Sequence, residues 1–381
     1  MHIVSAVESL GSSAAGYILP FIFVLTLVVF FHELGHFLVA RWCGVSVKTF
    51  SVGFGPEIVG FTDRRGTRWR LSLIPLGGYV RFLGDENEVG RPDRAGLESL
   101  PAEERVHAFA GATVGRRAAI VAAGPIANFV LAIVIFTAVF SLYGRQEMTP
   151  RVDVVVPNSA AAKAGFATGD VITAIDGQKI SNFSDLQRIV TVSAGTPLQV
   201  MVTRGGQPVA LTVTPELKDV ADDFGNKHEV GVLGIQRNVA AVDRSVQRYS
   251  VPRAAELAVG ECWFVVDRTV GYLVGVVTGR ESADQLGGPI RVAEVSAQVA
   301  TIGFVALINL AAILSISIGL INLFPVPMLD GGHLLFFAFE AARGRPLSDR
   351  AQDIGFRIGF VAVVMLMIFA TWNDIIHLSS L

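Results

Sequence analysis

Four long runs of apolar residues dominate the chain. They occupy residues 16–40, 118–142, 301–324 and 354–372. Each run is close to the roughly 20 residues that an α-helix needs to cross the hydrocarbon core of a bilayer. The pattern therefore predicts a polytopic α-helical membrane protein with about four transmembrane helices.

A fifth apolar stretch, residues 255–277, carries several charges. Glu256, Glu261, Asp267 and Arg268 interrupt it. Charges at this density are typical of an amphipathic helix that lies along a surface. We favour that interpretation, and entry of the helix into the bilayer stays open as the alternative.

Lysine and arginine residues near the ends of the predicted spans are concentrated on one side. They occur in the connections 41–117 and 325–353 near the span ends, whereas the tails 1–17 and 373–381 contain neither type. Positive residues near span ends mark the cytoplasmic side of a membrane. We therefore expect both termini and the long segment 144–300 to face outward, which in a bacterium means the periplasm.

Two regions outside the apolar runs have the pattern of β-structure. Residues 48–84 alternate apolar and polar types and carry a turn signal at 63–66, which predicts a membrane-associated β-hairpin region. Residues 148–238 contain short β-rich runs separated by turn signals, with a short helix predicted at 183–192. This second region is expected to be one inserted periplasmic α+β domain.

Composition agrees with a membrane protein that carries a soluble portion. Hydrophobic residues make up 51% of the 381 residues and charged residues 17%, and the mean hydropathy is +0.53. The formal net charge of −2 shows no basic surplus. We therefore expect the lipid bilayer as a partner, and no nucleic acid.

The first apolar run contains three ionisable residues in five positions. His32, Glu33 and His36 form the sequence HELGH inside "FIFVLTLVVFFHELGHFLVA". An ionisable side chain near mid-membrane costs at least roughly 2.5 to 3.5 kcal/mol, so a compensating partner such as a cation is expected. Positions i and i+4 share one helix face, where two imidazoles can bind zinc while the glutamate faces a water molecule. A chance match, or two hydrogen-bonded histidines in a helix bundle, is the alternative.

A third protein ligand must come from elsewhere, because catalytic zinc usually has three. The third apolar run ends in "INLFPVPMLDGGHLLFF", where two prolines break the helix and the pair at 331–332 permits an unusual backbone. Asp330 is the candidate ligand there. An ordinary turn at the end of the span, or His333 as the ligand instead, stays open.

Three motifs together resemble one enzyme family. They are HELGH in the first run, "GPIAN" at 124–128 in the second and "NLFPVPMLDGG" at 322–332 in the third. In this order they resemble the site-2 protease family of intramembrane zinc metalloproteases, peptidase family M50, over essentially the whole chain. The resemblance is greatest to the bacterial branch that regulates sigma factors.

The resemblance implies a set of functional residues. One Zn²⁺ ion per chain would be held by His32, His36 and Asp330. Glu33 would be the catalytic acid and base, and Asn322 would lie near the scissile carbonyl.

Further candidates for substrate binding are implied near the same site. They are Asn128, Pro325 and Pro327. For Asn128, plain helix packing beside a glycine and a proline is an equally open interpretation.

The inserted region resembles a PDZ domain. The resemblance lies in "NSAAAKAGFATGDVITAIDGQKI", and "GVLGIQ" at 231–236 resembles a carboxylate-binding loop. Leu233, Gly234 and Ile235 are therefore candidate substrate-binding residues. We favour a role as a size filter over obligatory peptide binding.

The predicted function is hydrolysis of a peptide bond in or near the transmembrane segment of single-pass membrane proteins, in the bacterial inner membrane and near its cytoplasmic side. Anti-sigma factors or remnant signal peptides are the expected substrates, cut after a first extracytoplasmic cleavage in a regulated stress response. A free strand edge at 67–74 could pair with the unwound substrate. A zinc transporter and a non-catalytic PDZ scaffold are the alternatives.

The domain prediction has nine parts in chain order. They are the first transmembrane helix with HExxH (1–47), the β region (48–84), a cytoplasmic loop (85–115), the second transmembrane helix (116–143), the PDZ domain (148–238), an amphipathic linker (239–299), the third transmembrane helix (300–333), a second cytoplasmic loop (334–353) and the fourth transmembrane helix (354–373).

Overall fold

The structure is a computed structural model that describes residues 2–84, 100–180, 182–221, 227–236, 244–279, 282–283 and 286–380. Parts of the predicted regions 85–115, 148–238 and 239–299 lie outside these residues.

Contacts divide the chain into two compact units, each with its own buried core. The helical unit comprises Met1–Ala138, Pro252–Leu273 and Leu286–Leu381. The inserted unit comprises Val139–Val251 and Val274–Gln285.

Apolar sequence forms long helices. The α-helices of the described residues, long and short, are α1 (His2–Trp42), α2 (Ala102–Arg105), α3 (Val114–Leu142), α4 (Ala160–Lys163), α5 (Phe183–Val192), α6 (Val251–Val277), α7 (Pro289–Ile302), α8 (Phe304–Asn322), α9 (Asp330–Arg343) and α10 (Asp349–Ser380). Four stretches are long and apolar enough to cross a membrane, namely Gly16–Trp42, Val114–Leu142, Phe304–Asn322 and Arg350–His377. The prediction of four long apolar helices is confirmed, and α6, which contains 255–277, is not among the spans found in the described residues.

Glycines allow close approach between the helices of the helical unit. A Cβ atom on Gly35 of α1 would lie 2.2 Å from the carbonyl oxygen of Ala123 in α3. A Cβ atom on Gly319 of α8 would lie 3.1 Å from Cβ of Asn128, also in α3. Small residues at such positions let the backbones of membrane helices pack closely. Helix α3 is therefore held between α1 and α8.

The β region consists of two long strands, β1 (Val47–Thr62) and β2 (Arg68–Phe82), joined by the predicted turn. Both strands are bent, so residues 49–52 pair with 78–81 and also with 68–71. Residues 68–71 pair on their other side with 59–62. The expectation of a free edge at 67–74 is therefore wrong for 68–71, because bending of β1 places this segment between two others. Within the described residues, the edges of this sheet are 57–62 and 78–82.

Aromatic side chains attach the β region to α1. The ring of Phe50 in β1 lies 5.5 Å from that of Phe37 in α1 and 4.3 Å from that of Trp69 in β2. Phe50 is 1% exposed, so this contact forms part of the core of the helical unit. Burial of these rings fixes the position of β2 beside the HELGH helix.

The inserted unit is a small α+β structure. Its strands are β3 (Arg145–Met148), β4 (Val154–Val155), β5 (Val171–Ile175), β6 (Gln178–Lys179), β7 (Leu198–Arg204), β8 (Gln207–Val213), β9 (Glu216–Ala221), β10 (Lys227–Val232), β11 (Ile235–Gln236) and β12 (Arg244–Gln247). The largest sheet has the order β6-β5-β7-β8, and β3 pairs with β12, β4 with β11 and β9 with β10. Helix α5 coincides with the helix predicted at 183–192, and Asn182 caps it by accepting a hydrogen bond from the backbone N–H of Asp185.

Candidate metal centre

Two helices that are distant in sequence bring three candidate ligands together. In α1, His32 Nε2 and His36 Nε2 lie 3.2 Å apart. Asp330, the first residue of α9, places Oδ2 3.1 Å from Nε2 of His32 and Oδ1 3.6 Å from Nε2 of His36. Ligand atoms of the three residues all lie within 4.8 Å of one another, and this is the one such group found among the described residues.

The i and i+4 spacing predicted for the histidines is what aligns their rings. The imidazole centroids of His32 and His36 are 4.9 Å apart with an interplanar angle of 84°. Both rings therefore present Nε2 towards Asp330 from one face of α1.

Helix α3 leaves room for the two imidazoles and contacts them from behind. Gly124 faces the rings, and a Cβ atom there would lie 2.2 Å from Nε2 of His36. The Nδ1 atom of His36 lies 2.9 Å from the carbonyl oxygen of Ile120. The Nδ1 atom of His32 lies 3.3 Å from Nδ2 of Asn128. The "GPIAN" motif thus lies directly against the histidine pair.

The turn between α8 and α9 places Asp330. The sequence suggested an unusual backbone at Gly331 and Gly332, but both are regular residues of α9. Glycine is needed there for space, because a Cβ atom on Gly331 would lie 2.2 Å from the carbonyl oxygens of Leu323 and Phe324. The unusual backbone is at Met328, whose φ is +92°, a conformation that L residues rarely adopt. No sequence signal marks this methionine.

A cavity of about 440 Å³ opens beside the three candidate ligands. Besides these ligands it is lined by Glu33, Asn322 and His333, together with residues of both strands of the β region. Glu33 receives a hydrogen bond from the backbone of Val80 in β2. Sequence reasoning missed this contribution of 77–80, for which the Gly77-Gly78 pair is the available signal: a Cβ atom on Gly78 would lie 3.1 Å from Cγ of Glu33.

The other predicted site residues lie at several places. Asn128 is fully buried behind His32 and does not line the cavity. Pro325 is exposed and Pro327 packs on α10, where a Cβ atom on Gly359 would lie 1.9 Å from its carbonyl oxygen. Neither proline lines the cavity.

The carboxylate-loop candidates Leu233, Gly234 and Ile235 belong to the inserted unit. Gly234 has a φ of +81°, and its carbonyl oxygen accepts a hydrogen bond of 2.8 Å from the backbone N–H of Val156. A Cβ atom on Gly234 would lie 2.2 Å from Cβ of Ser159, so both conformation and space require glycine there.

His333, the rival ligand, lies one helical turn after Asp330 and is 8% exposed. Its ring is 5.4 Å from that of Phe356, and it lines the cavity. It does not belong to the group of three whose ligand atoms converge.

The three converging residues fit a zinc ion by their chemistry. Two imidazole nitrogens and one carboxylate oxygen are a ligand set that catalytic zinc sites use. Gly124 provides space beside the rings, and the Nδ1 atoms of both histidines have polar partners on α3.

The model of the peptidase family M50 matches residues 20–366. The chain belongs to peptidase family M50. Relatives from several bacteria are similar over nearly their whole length. A relative from Agrobacterium fabrum, named as a zinc metalloprotease, is 53% identical over 360 residues, which are 94% of this chain and 96% of the relative. Metalloprotease MmpA of Caulobacter vibrioides is 38% identical, covering 93% and 94% of the two chains. The regulator of sigma-E protease RseP of Escherichia coli is 32% identical over 451 residues, covering 93% and 97%.

Membership of family M50 confirms the predicted enzyme class and cofactor. The protein is a zinc metalloprotease whose cofactor is Zn²⁺. The four apolar helices and the similarity to RseP make it a multi-pass protein of the inner membrane. A zinc transporter and a non-catalytic scaffold are thereby excluded as its function.

Proposed function

We propose that the protein hydrolyses a peptide bond in or near the transmembrane segment of single-pass membrane proteins. The observation that carries the proposal is the convergence of His32, His36 and Asp330 beside a cavity that Glu33 lines. His32 and His36 lie in the span Gly16–Trp42, so chemistry at this site takes place at membrane depth.

His32, His36 and Asp330 would hold the zinc ion. When bound, zinc polarises the scissile carbonyl group and makes water a stronger nucleophile at neutral pH.

Glu33 is the proposed acid and base. Its carboxylate takes a proton from the attacking water as the oxygen bonds to the carbonyl carbon, and later gives this proton to the leaving amine nitrogen. The hydrogen bond from the backbone of Val80 holds the carboxylate in the cavity.

Asn322, at the C-terminal end of α8, lines the same cavity. Its amide N–H can donate a hydrogen bond to the carbonyl oxygen of the substrate, where negative charge develops as the bond to water forms.

The substrate must lose helical structure before it is cut, because a helix uses its own carbonyls in hydrogen bonds. The edge segment 78–82 is the proposed place for pairing with the unwound strand. It supports this role by lying beside Glu33 and by forming an edge of the sheet within the described residues.

The finer placement and the substrates are also proposals. The inserted unit is proposed to be a periplasmic PDZ domain that filters substrates by size, with both termini periplasmic and the active site near the cytoplasmic face. Support comes from the positions of lysine and arginine and from the α+β fold of the unit. The name of RseP supports anti-sigma factors as substrates, and remnant signal peptides are the second proposed class.

The test uses a tagged single-pass substrate that is co-expressed with the protease. Glu33→Gln should abolish cleavage while the purified protein retains one zinc ion per chain, because glutamine cannot take up the proton. Glu103→Gln, at an exposed position, is the matched control and should cleave normally. Equal cleavage by the Glu33→Gln variant would show that this glutamate is not the base.

A further inference from the structure

We propose that Asn128 is a positioning residue for His32, and that its side-chain oxygen accepts a hydrogen bond from Nδ1–H of that imidazole. This inference rests on the proposed role of His32 as a zinc ligand. It assigns to Asn128 a role different from substrate contact.

Asn128 lies directly beside His32. Its side chain is fully buried, and its Nδ2 atom lies 3.3 Å from Nδ1 of His32. Within the described part of the chain, this is the one hydrogen-bonding contact of His32 Nδ1. Since Asn128 does not line the cavity, the side chain meets the histidine and not the substrate space.

Ligation of a metal through one ring nitrogen of a histidine sets the hydrogen-bonding role of the other. A histidine that binds a metal through Nε2 carries its ring proton on Nδ1, and that proton needs an acceptor. An amide nitrogen cannot accept it, but the Oδ1 atom of Asn128 can. This oxygen is buried and has no partner. A half-turn about the Cβ–Cγ bond exchanges it with Nδ2 and places it opposite Nδ1.

His36 has a similar contact with α3. Its Nδ1 atom lies 2.9 Å from the backbone carbonyl oxygen of Ile120, which can only accept a hydrogen bond. Residues 120, 124 and 128 succeed one another at intervals of four, so they form one stripe along α3. In this stripe Ile120 holds one ring, Gly124 leaves space for both and Asn128 meets the other.

Helix α8 fixes Asn128 from behind. Ser315 donates a hydrogen bond of 2.9 Å to the backbone carbonyl oxygen of Asn128. A Cβ atom on Gly319 would lie 3.1 Å from Cβ of Asn128, so the two helices are in close contact there. A side chain so confined has a defined position, as a residue that orients a ligand requires.

The test compares Asn128→Asp, which keeps an acceptor oxygen, with Asn128→Leu, which has a similar volume and no acceptor. Zinc affinity of the purified full-length protein is measured by competition with a chelator, and the visible spectrum of the Co²⁺-substituted protein reports the ligand geometry. The leucine variant should bind zinc about 10- to 100-fold more weakly and show an altered spectrum. The aspartate variant should bind zinc at least as tightly as the wild type.

The kinetic readout separates positioning from substrate contact. With zinc saturating, loss of a positioning residue should lower kcat and leave KM nearly unchanged, whereas loss of a substrate contact should raise KM and leave zinc affinity unchanged. Wild-type zinc affinity in Asn128→Leu, or an aspartate variant as weak as the leucine variant, would overturn the inference. If the leucine variant does not accumulate, Asn128→Ala is measured in the same way.

His32→Ala separates the failure of this inference from failure of the proposed site. If His32→Ala loses zinc and Asn128→Leu does not, only the role of Asn128 is wrong. If His32→Ala retains zinc with wild-type affinity, the ligand assignment itself is wrong, and the inference falls with it.

Discussion

Arg117 and Glu340 form a largely buried ion pair that joins α3 to α9. The Nη2 atom of Arg117 lies 2.7 Å from Oε1 of Glu340, and the two side chains are 10% and 13% exposed. Arg117 also donates to the carbonyl oxygen of Ala112 and lies 4.9 Å from the ring centre of Phe337. The pair fastens the helix that begins with Asp330 to the helix that lies behind the histidines.

Removal of both partners should therefore destabilise the protein by less than the two single removals added together. Arg117→Met or Glu340→Met alone leaves a buried charge unpaired, at a cost of about 3–5 kcal/mol in the free energy of unfolding. The double variant should cost less than the sum of the two. Unfolding of the purified proteins in mixed micelles measures this, and strictly additive effects would show that the pair is not coupled.

Gly124→Ala should expel zinc. The added methyl group would fall 2.2 Å from Nε2 of His36, so the ring must move out of line with Asp330. Zinc content of the purified variant should fall well below one per chain, and cleavage should fall with it. Gly115→Ala in the same helix is the control, because a Cβ atom there meets nothing within 4 Å. Full zinc content in Gly124→Ala would mean that the rings are not confined as described.

Asp330→Ala and His333→Ala decide between the two candidate third ligands. Asp330 converges with both imidazoles and His333 does not, so only Asp330→Ala should lose zinc. Metal content of the two purified variants checks this. The reverse pattern would assign the third ligand to His333.

Asp374→Ala should loosen the start of α7. The carboxylate is 2% exposed and accepts hydrogen bonds from the backbone N–H groups of Gly288 (2.8 Å), Ile290 (3.1 Å) and Arg291 (3.1 Å). Backbone N–H groups in the first turn of a helix have no acceptor within that helix, and loss of a side chain that caps them costs about 0.5–2 kcal/mol. Amide hydrogen exchange at Gly288, Ile290 and Arg291 should accelerate in the alanine variant and less in Asp374→Asn, which keeps one oxygen. Unchanged exchange at these amides would contradict the cap.

The inserted unit should lose stability at low pH through Asp170. Hydrogen bonds from the Arg204 guanidinium, at 2.7 and 2.8 Å, hold the pKa of the Asp170 carboxyl below its usual value, although burial opposes this. The stabilisation is present above the unfolded pKa of about 3.9 and is lost as pH falls through the lower folded pKa.

Asp170→Asn should therefore destabilise the unit at pH 7 by roughly 1.5–3 kcal/mol and flatten its pH dependence below pH 4. Hydrogen exchange in β5 and β7 of the full-length protein measures both effects. A variant with the wild-type acid profile would show that another carboxyl group is responsible.

The sequence pattern predicted the helices and turns that are determined by neighbouring residues in the chain. The spans follow from apolar length, and α5 and the turn after β1 follow from capping and turn residues. The predicted start of the third span was less accurate. Gly303, with a φ of +134°, ends α7 and separates it from α8. The inserted unit was expected as an α+β domain, and its sheet and helices have that character.

Features that depend on contacts between residues distant in sequence could not be predicted from the sequence pattern. The bend that gives residues 68–71 two partners depends on packing of the hairpin against α1. The contact of Val80 with Glu33 likewise forms only when β2 packs against the HELGH helix. The left-handed backbone of Met328 belongs to the turn that brings α9 to the same helix. The two histidines could be predicted as a pair of ligands because helix periodicity alone aligns their rings. Asp330 was preferred as the third ligand because of the family motif.

The proposed ligands come from residues 32, 36 and 330, so residues 37–329, roughly three quarters of the chain, separate the first two from the third. During synthesis the first span enters the membrane with its ionisable residues long before α9 leaves the ribosome. A nascent or truncated chain thus carries the proposed base Glu33 without the carboxylate of Asp330. The protease is therefore expected to be inactive in the membrane until its last third has been translated. An incomplete chain would then not cleave neighbouring membrane proteins.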